Sequence, residues 1–117
     1  MLRWPYAFAA LALSLSLSAC GDDPIPCEDT GAVTWSEHVQ PLIADHCLEC
    51  HVYGETGNGL GRPPLGSEFD TLASVEAAID AIVEKVEPGD MPPGSREDLT
   101  EAEVCLLKNW QAQSFPE

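Results

Sequence analysis

Basic residues are scarce in this chain: five Lys and Arg stand against 20 Asp and Glu in 117 residues, for a formal net charge of −15. A surface so poor in cations excludes binding to nucleic-acid phosphates and is repelled by anionic lipid headgroups. It favours a basic protein partner, and it also serves plain solubility. Strand signals are missing too, since no stretch sustains period-two alternation of apolar and polar side chains, and no internal repeat is present. Nothing looks like a catalytic triad, a phosphate-binding glycine loop or a paired-carboxylate hydrolase site. The acidic residues scatter along helix faces as solvating charge, so the chain is not expected to be an enzyme. Methionine is nearly absent; apart from Met1 there is only Met91. The length allows a single domain.

What is present begins with "MLRWPYAFAALALSLSLSAC", which carries one charge, Arg3, and then runs apolar and small from Trp4 to Ala19. That is the layout of an export leader, and it is shorter than the roughly 20 apolar residues of a membrane-spanning helix. Its end, Leu17-Ser18-Ala19-Cys20, resembles the lipobox of bacterial lipoproteins. The resemblance implies a signal peptide over residues 1–19 and a mature N-terminus at Cys20, with diacylglycerol on its sulfur and an acyl chain on its nitrogen. The protein would then be lipid-anchored in the bacterial cell envelope, facing the periplasm or the cell exterior. An ordinary cleaved leader and an uncleaved membrane helix are the alternatives. Losing Arg3 with the leader takes the net charge from −15 to −16. The next stretch, "GDDPIPCEDTGAV", is acidic with two prolines and reads as a flexible tether over residues 20–33. The folded domain is expected over 34–117.

Three stretches of that domain have helical spacing. In "TWSEHVQPLIADHC", Thr34 and Glu37 are placed for a capping box, and Trp35, Val39, Leu42, Ile43 and His46 share one face. Pro41 predicts a kink or a restart of that helix. In "SVEAAIDAIVEKV", Val75, Ala78, Ile79, Ile82, Val83 and Val86 form an apolar stripe, which Pro88-Gly89 ends. In "LTEAEVCLLKNWQAQSF", Thr100 and Glu103 repeat the capping box, Leu99 can staple onto Val104, and Leu107 and Trp110 follow on the buried side. Between the first two helices, Val52 to Asp70 is rich in Gly and Pro and holds few core residues. The fold class is therefore all-α, about three main helices with one long irregular loop. Such a core is thin for roughly 80 residues, and small domains of this kind need a staple.

The chemistry concentrates in Cys47-Leu48-Glu49-Cys50-His51. A structural zinc site wants four ligands, and beyond this one Cys pair only scattered His38, His46 or Cys105 could supply the rest. A thioredoxin-like pair needs a strand-to-helix turn in a βαβ unit, and the strands are missing. Haem suits the spacing: on a helical turn two sulfurs three residues apart face one way and can add to the two vinyl groups on one haem edge. His51 would then carry its imidazole to the iron, and the pattern is a haem-attachment signature. Met91 supplies the context. It lies in "PGDMPPG", held among prolines in a loop, a poor place for a core filler although methionine commonly fills gaps. It is expected as the second iron ligand. His38 is the alternative, while His46, directly before Cys47, cannot easily reach the opposite haem face.

Taken together, the attachment motif, the Met91-Pro92-Pro93 loop and a last helix from Thr100 resemble a class I monohaem cytochrome c over about Trp35 to Phe115. The resemblance implies one haem c bound covalently through Cys47 and Cys50, with iron held by His51 and Met91. It also implies that the first and last helices cross, bringing Trp35 and Val39 against Leu107 and Trp110. A proline carbonyl of the family falls on Pro63 in "RPPL", where it would accept the second His51 ring proton and fix the tautomer. Arg62 replaces the usual glycine there and would pair with a haem propionate or stay solvated. With Cys20 on lipid and Cys47 and Cys50 on haem, Cys27 and Cys105 are left to form a disulfide. A six-coordinate iron has no open position, which implies an electron carrier. Its partners would be redox proteins with basic docking patches, met weakly and quickly under charge guidance, with the carrier itself a monomer or in transient complexes. If Met91 does not hold the iron, a haem-based gas sensor or peroxidase-like domain is implied instead. An electron-entry subunit of a larger membrane redox complex is a third reading.

Overall fold

The computed structural model describes residues 24–52 and 66–117. The leader, Cys20, Arg62 and Pro63 therefore lie outside the described residues, which form helices and no strands.

Thr34 opens the first helical segment, but not with the expected reciprocal box. Its hydroxyl accepts the Glu37 amide at 3.4 Å, whereas its own amide donates to Nδ1 of His38 at 3.1 Å and not to the Glu37 carboxylate. The winding explains the exchange. Trp35–Val39 is π-helical, and the amides of both His38 and Val39 reach the Thr34 carbonyl, at 3.1 and 3.2 Å. Pro41 offers no amide to the carbonyl four residues back, and its ring would crowd that oxygen in a tight helix. A wider turn before it relieves both problems. The chain then tightens into α1, Gln40–His46, with Pro41 in its first turn, where a missing amide costs nothing. The restart expected at Pro41 is present.

Helix α2, Leu72–Val86, begins three residues ahead of its apolar stripe because Thr71 and Ser74 cap each other. The Ser74 amide donates to Thr71 Oγ1 at 3.1 Å, and the Thr71 amide to Ser74 Oγ at 3.2 Å. Val75, Ile79, Ile82 and Val86 are buried as the stripe requires, with Ala78 and Val83 at its margin. Gly89 ends the helix at φ +86°, and a Cβ there would stand 3.0 Å from Oδ2 of Asp98, so this position needs glycine twice over.

Helix α3, Glu101–Ala112, has the full Thr100–Glu103 box, with bonds of 3.2 and 2.8 Å. It stops three residues before the Phe115 end that its sequence suggests. Ser114 and Phe115 turn left-handed, at φ 63° and 61°, a conformation that costs non-glycine residues roughly 1–3 kcal/mol each. The turn folds Phe115 edge-on to Trp110, with centroids 4.9 Å apart. It also sets the Pro116 carbonyl to accept both the Trp35 amide and Trp110 Nε1, each at 2.9 Å. Trp35 and Trp110 themselves meet at 5.7 Å, so the first and last helical segments touch where expected.

Helix α3 is the centre of the packing, lying against both α2 and the π-helical stretch. Trp110, Leu107, Ile43, Val33, Val39, Val75 and Val104 are fully buried, and no polar side chain is buried among the described residues. Val33 belongs to this core although it lies in the expected tether. From Ile25 on, that stretch is strapped to α3. Cys27 and Cys105 form a disulfide with Cα atoms 5.4 Å apart. Lys108 Nζ donates to the Ile25 carbonyl at 2.9 Å, and Asn109 Nδ2 to the Glu28 carbonyl at 3.0 Å. Gln113 bonds the Gly31 carbonyl at 2.7 Å and the Val33 amide at 2.9 Å. The tether reading of Ile25–Val33 is thus corrected, because polar side chains on one edge of α3 satisfy its backbone. No helix among the described residues is long and apolar enough to cross a membrane.

Candidate functional site

The five residues of the cysteine motif continue α1 as one further turn. The amides of Cys47 and Leu48 return to the Ile43 carbonyl at 2.9 and 3.1 Å, and those of Cys50 and His51 to the Cys47 carbonyl at 3.1 and 2.9 Å. Both thiols are free and half-buried, and Cys47 and Leu48 rest on the hydrophobic core. Burial pushes the Cys47 thiol up to about 12, so it is protonated at neutral pH. A redox-active Cys-x-x-Cys pair needs the opposite shift, a thiolate favoured by its surroundings.

His51 is held from three directions by Ser67–Phe69. Its Nδ1 lies 2.7 Å from the Ser67 carbonyl. A carbonyl can only accept, so Nδ1 carries a proton, and in the neutral ring Nε2 is then the nitrogen with the lone pair. The Phe69 amide donates back to the His51 carbonyl at 2.7 Å. The Phe69 ring stacks on the imidazole with centroids 4.7 Å apart and planes 18° from parallel. The carbonyl expected to take the His51 proton was that of Pro63, which lies outside the described residues. Ser67 takes it here, because the chain after the glycine-rich loop returns alongside His51 at this point.

The other two histidines are engaged elsewhere. His38 Nδ1 accepts the Thr34 amide, which commits one ring nitrogen to the helix start. His46 Nε2 lies 3.1 Å from Glu103 Oε1 and links the end of α1 to the start of α3. Met91 is half-buried and lies against the core, so it contributes more packing than its loop setting suggests. Its amide donates to the Lys85 carbonyl at 3.0 Å, tying the proline loop to the last turn of α2. Farther along that loop, Arg96 reaches Glu49 inside the cysteine motif, with Nη2 2.7 Å from Oε1 and Nε 3.0 Å from Oε2.

Among the described residues no three His, Cys, Asp or Glu side chains gather closely enough to hold a metal ion by themselves. What the site offers is two free thiols on one turn, beside one imidazole whose Nδ1 is engaged by a backbone carbonyl. Ser67, Phe69 and Arg96 have no motif of their own in the sequence. Phe69 had one signal, as an aromatic residue in an otherwise polar segment. Arg96 had another, as one of the chain's few cations. Compared with models of known protein families, with curated proteins and with solved structures, the chain matches none.

Proposed function

We propose that this protein is a single-electron carrier, a monohaem cytochrome c of class I type with iron held by His51 and Met91. One observation carries the reading: the Ser67 carbonyl fixes His51 with Nε2 as its free donor, directly after two uncommitted thiols at Cys47 and Cys50. A haem asks for that donor set, since covalent attachment needs two S–H groups to add across two vinyls and the iron needs a neutral imidazole. A hydrogen bond to the far ring nitrogen also raises the basicity of the ligand. The haem, when bound, supplies the reversible one-electron couple. Met91 is the second ligand by its place in the proline loop, and thioether ligation favours the reduced state.

Cys20 would carry the lipid anchor in the cell envelope. Ile25, where the strap on α3 begins, follows it by five positions, so even a fully extended leash measures roughly 18 Å at most. The carrier would therefore work close to its membrane, and its acidic surface would meet basic patches on redox partners, with contacts weakened by salt.

The test is the visible spectrum of protein expressed with a haem-attachment system, with a haem-stained denaturing gel alongside. Stain that survives denaturation, sharp ferrous bands and the far-red ferric band of an iron–methionine bond are the expected result. Covalent haem without the far-red band moves the function to gas binding or peroxidase chemistry. Absence of haem overturns the reading.

A further inference from the structure

The Met91 loop and the cysteine motif are 40 residues apart in the chain, and one ion pair joins them. Arg96 presents two nitrogens to both oxygens of Glu49, at 2.7 and 3.0 Å, the two-pronged geometry that gives Arg–carboxylate pairs their directional strength. Glu49 lies between Cys47 and Cys50, and Arg96 follows Met91 by five positions. The near side of the loop is already tied to α2 through the Met91 amide.

We propose that the Arg96–Glu49 pair is a clasp that holds the Met91 loop over the cysteine turn and sets how readily Met91 leaves the iron. The proposal rests on the reading of His51 and Met91 as the iron ligands. Arg96 and Glu49 are positioning residues that act through the loop, without touching iron. Both side chains are partly exposed, 30% and 57%. An exposed pair contributes only modestly and is screened by salt, which makes it suited to biasing a weak ligand without locking it.

Imidazole binding to the ferric holoprotein reads this directly, because added imidazole reaches iron only after Met91 has left. Arg96→Gln and Glu49→Gln should each speed imidazole association about two- to five-fold, the range that one exposed pair can supply. Arg96→Glu, which sets two carboxylates face to face, should speed it more. Combining Arg96→Glu with Glu49→Arg should return the rate to within about two-fold of the wild type. High salt should raise the wild-type rate toward that of Arg96→Gln. A merely structural pair would lower the urea midpoint while leaving the imidazole rate and the far-red band unmoved, and that result overturns the clasp. A wild type with the far-red band and an unaffected Arg96→Gln variant removes the clasp alone. A wild type without the band removes the ligand reading and the clasp with it.

Discussion

At the scale of single residues, three histidines with the same chemistry are sorted by what their neighbours do with one nitrogen. The amide at Thr34 takes up His38, the Glu103 carboxylate pairs with His46, and the Ser67 carbonyl leaves His51 with its Nε2 lone pair free. The motif marked His51 in the sequence; its partners were not legible, because a backbone carbonyl is present at every residue and only the returning chain selects one. Phe69 makes the clearest test of that return. It is buried, at 8% exposure, and stacks on His51. Phe69→Leu keeps an apolar side chain but loses the stack, and urea denaturation should show a loss of about 1–2 kcal/mol. Met91→His tests the proposed second ligand. Replacing a thioether by imidazole should lower the reduction potential measured by spectroelectrochemistry, and an unchanged potential would remove Met91 from the iron.

At the scale of elements, the capping signals had unequal outcomes. Thr100 and Glu103 form the box that their spacing suggests, whereas Thr34 and Glu37 form only half of one. Identical spacing gave different bonds because Pro41 lies one turn ahead of the first box and widens the winding there. Thr100→Ala should therefore cost about 1 kcal/mol, while Glu37→Ala should change stability by less than about 0.5 kcal/mol. Paired urea titrations of the two variants would check the contrast. The Thr71–Ser74 cap was hidden for another reason, since serine replaces the Glu or Gln that marks a box. The end of α3 was hidden because Ser114 and Phe115 are ordinary helix residues. Only the docking of Phe115 and Pro116 on Trp110 and Trp35 offsets the left-handed turn that stops the helix.

At the scale of the whole molecule, stability is spread across the strap between Ile25–Val33 and α3. The disulfide closes a separation of 78 residues, and in the chain-entropy account a loop of that size contributes about 4 kcal/mol. A Cys27→Ser, Cys105→Ser double variant should lose several kcal/mol in urea titrations, with a smaller loss if the polar bonds of Lys108, Asn109 and Gln113 keep the strap in place. Acid should weaken the same region. Glu87 accepts from Lys108 Nζ at 2.7 Å and from the Ile25 amide, and these bonds, the Lys108 one foremost, hold its carboxyl below the usual range. A depressed carboxyl stabilises the fold above its unfolded-state value of roughly 4.3, and that contribution fades as pH falls through the lower folded value. Glu87→Gln should therefore be less stable than wild type at pH 7, with the gap closing in urea titrations run near pH 3.

The sequence by itself determined the helical class, the apolar stripes of the three helices and the short motif that marks the site, because periodicity and motif spacing are local properties. It also placed the contact between Trp35 and Trp110, through resemblance to a known architecture. Tertiary structure alone decided that the acidic leading segment is strapped to α3, that Ser67 holds His51, and that Arg96 closes on Glu49. Each of these joins residues distant in the chain through a backbone carbonyl or a single charge. Such groups carry no pattern along the sequence, and they acquire a partner only when packing brings one within bonding distance.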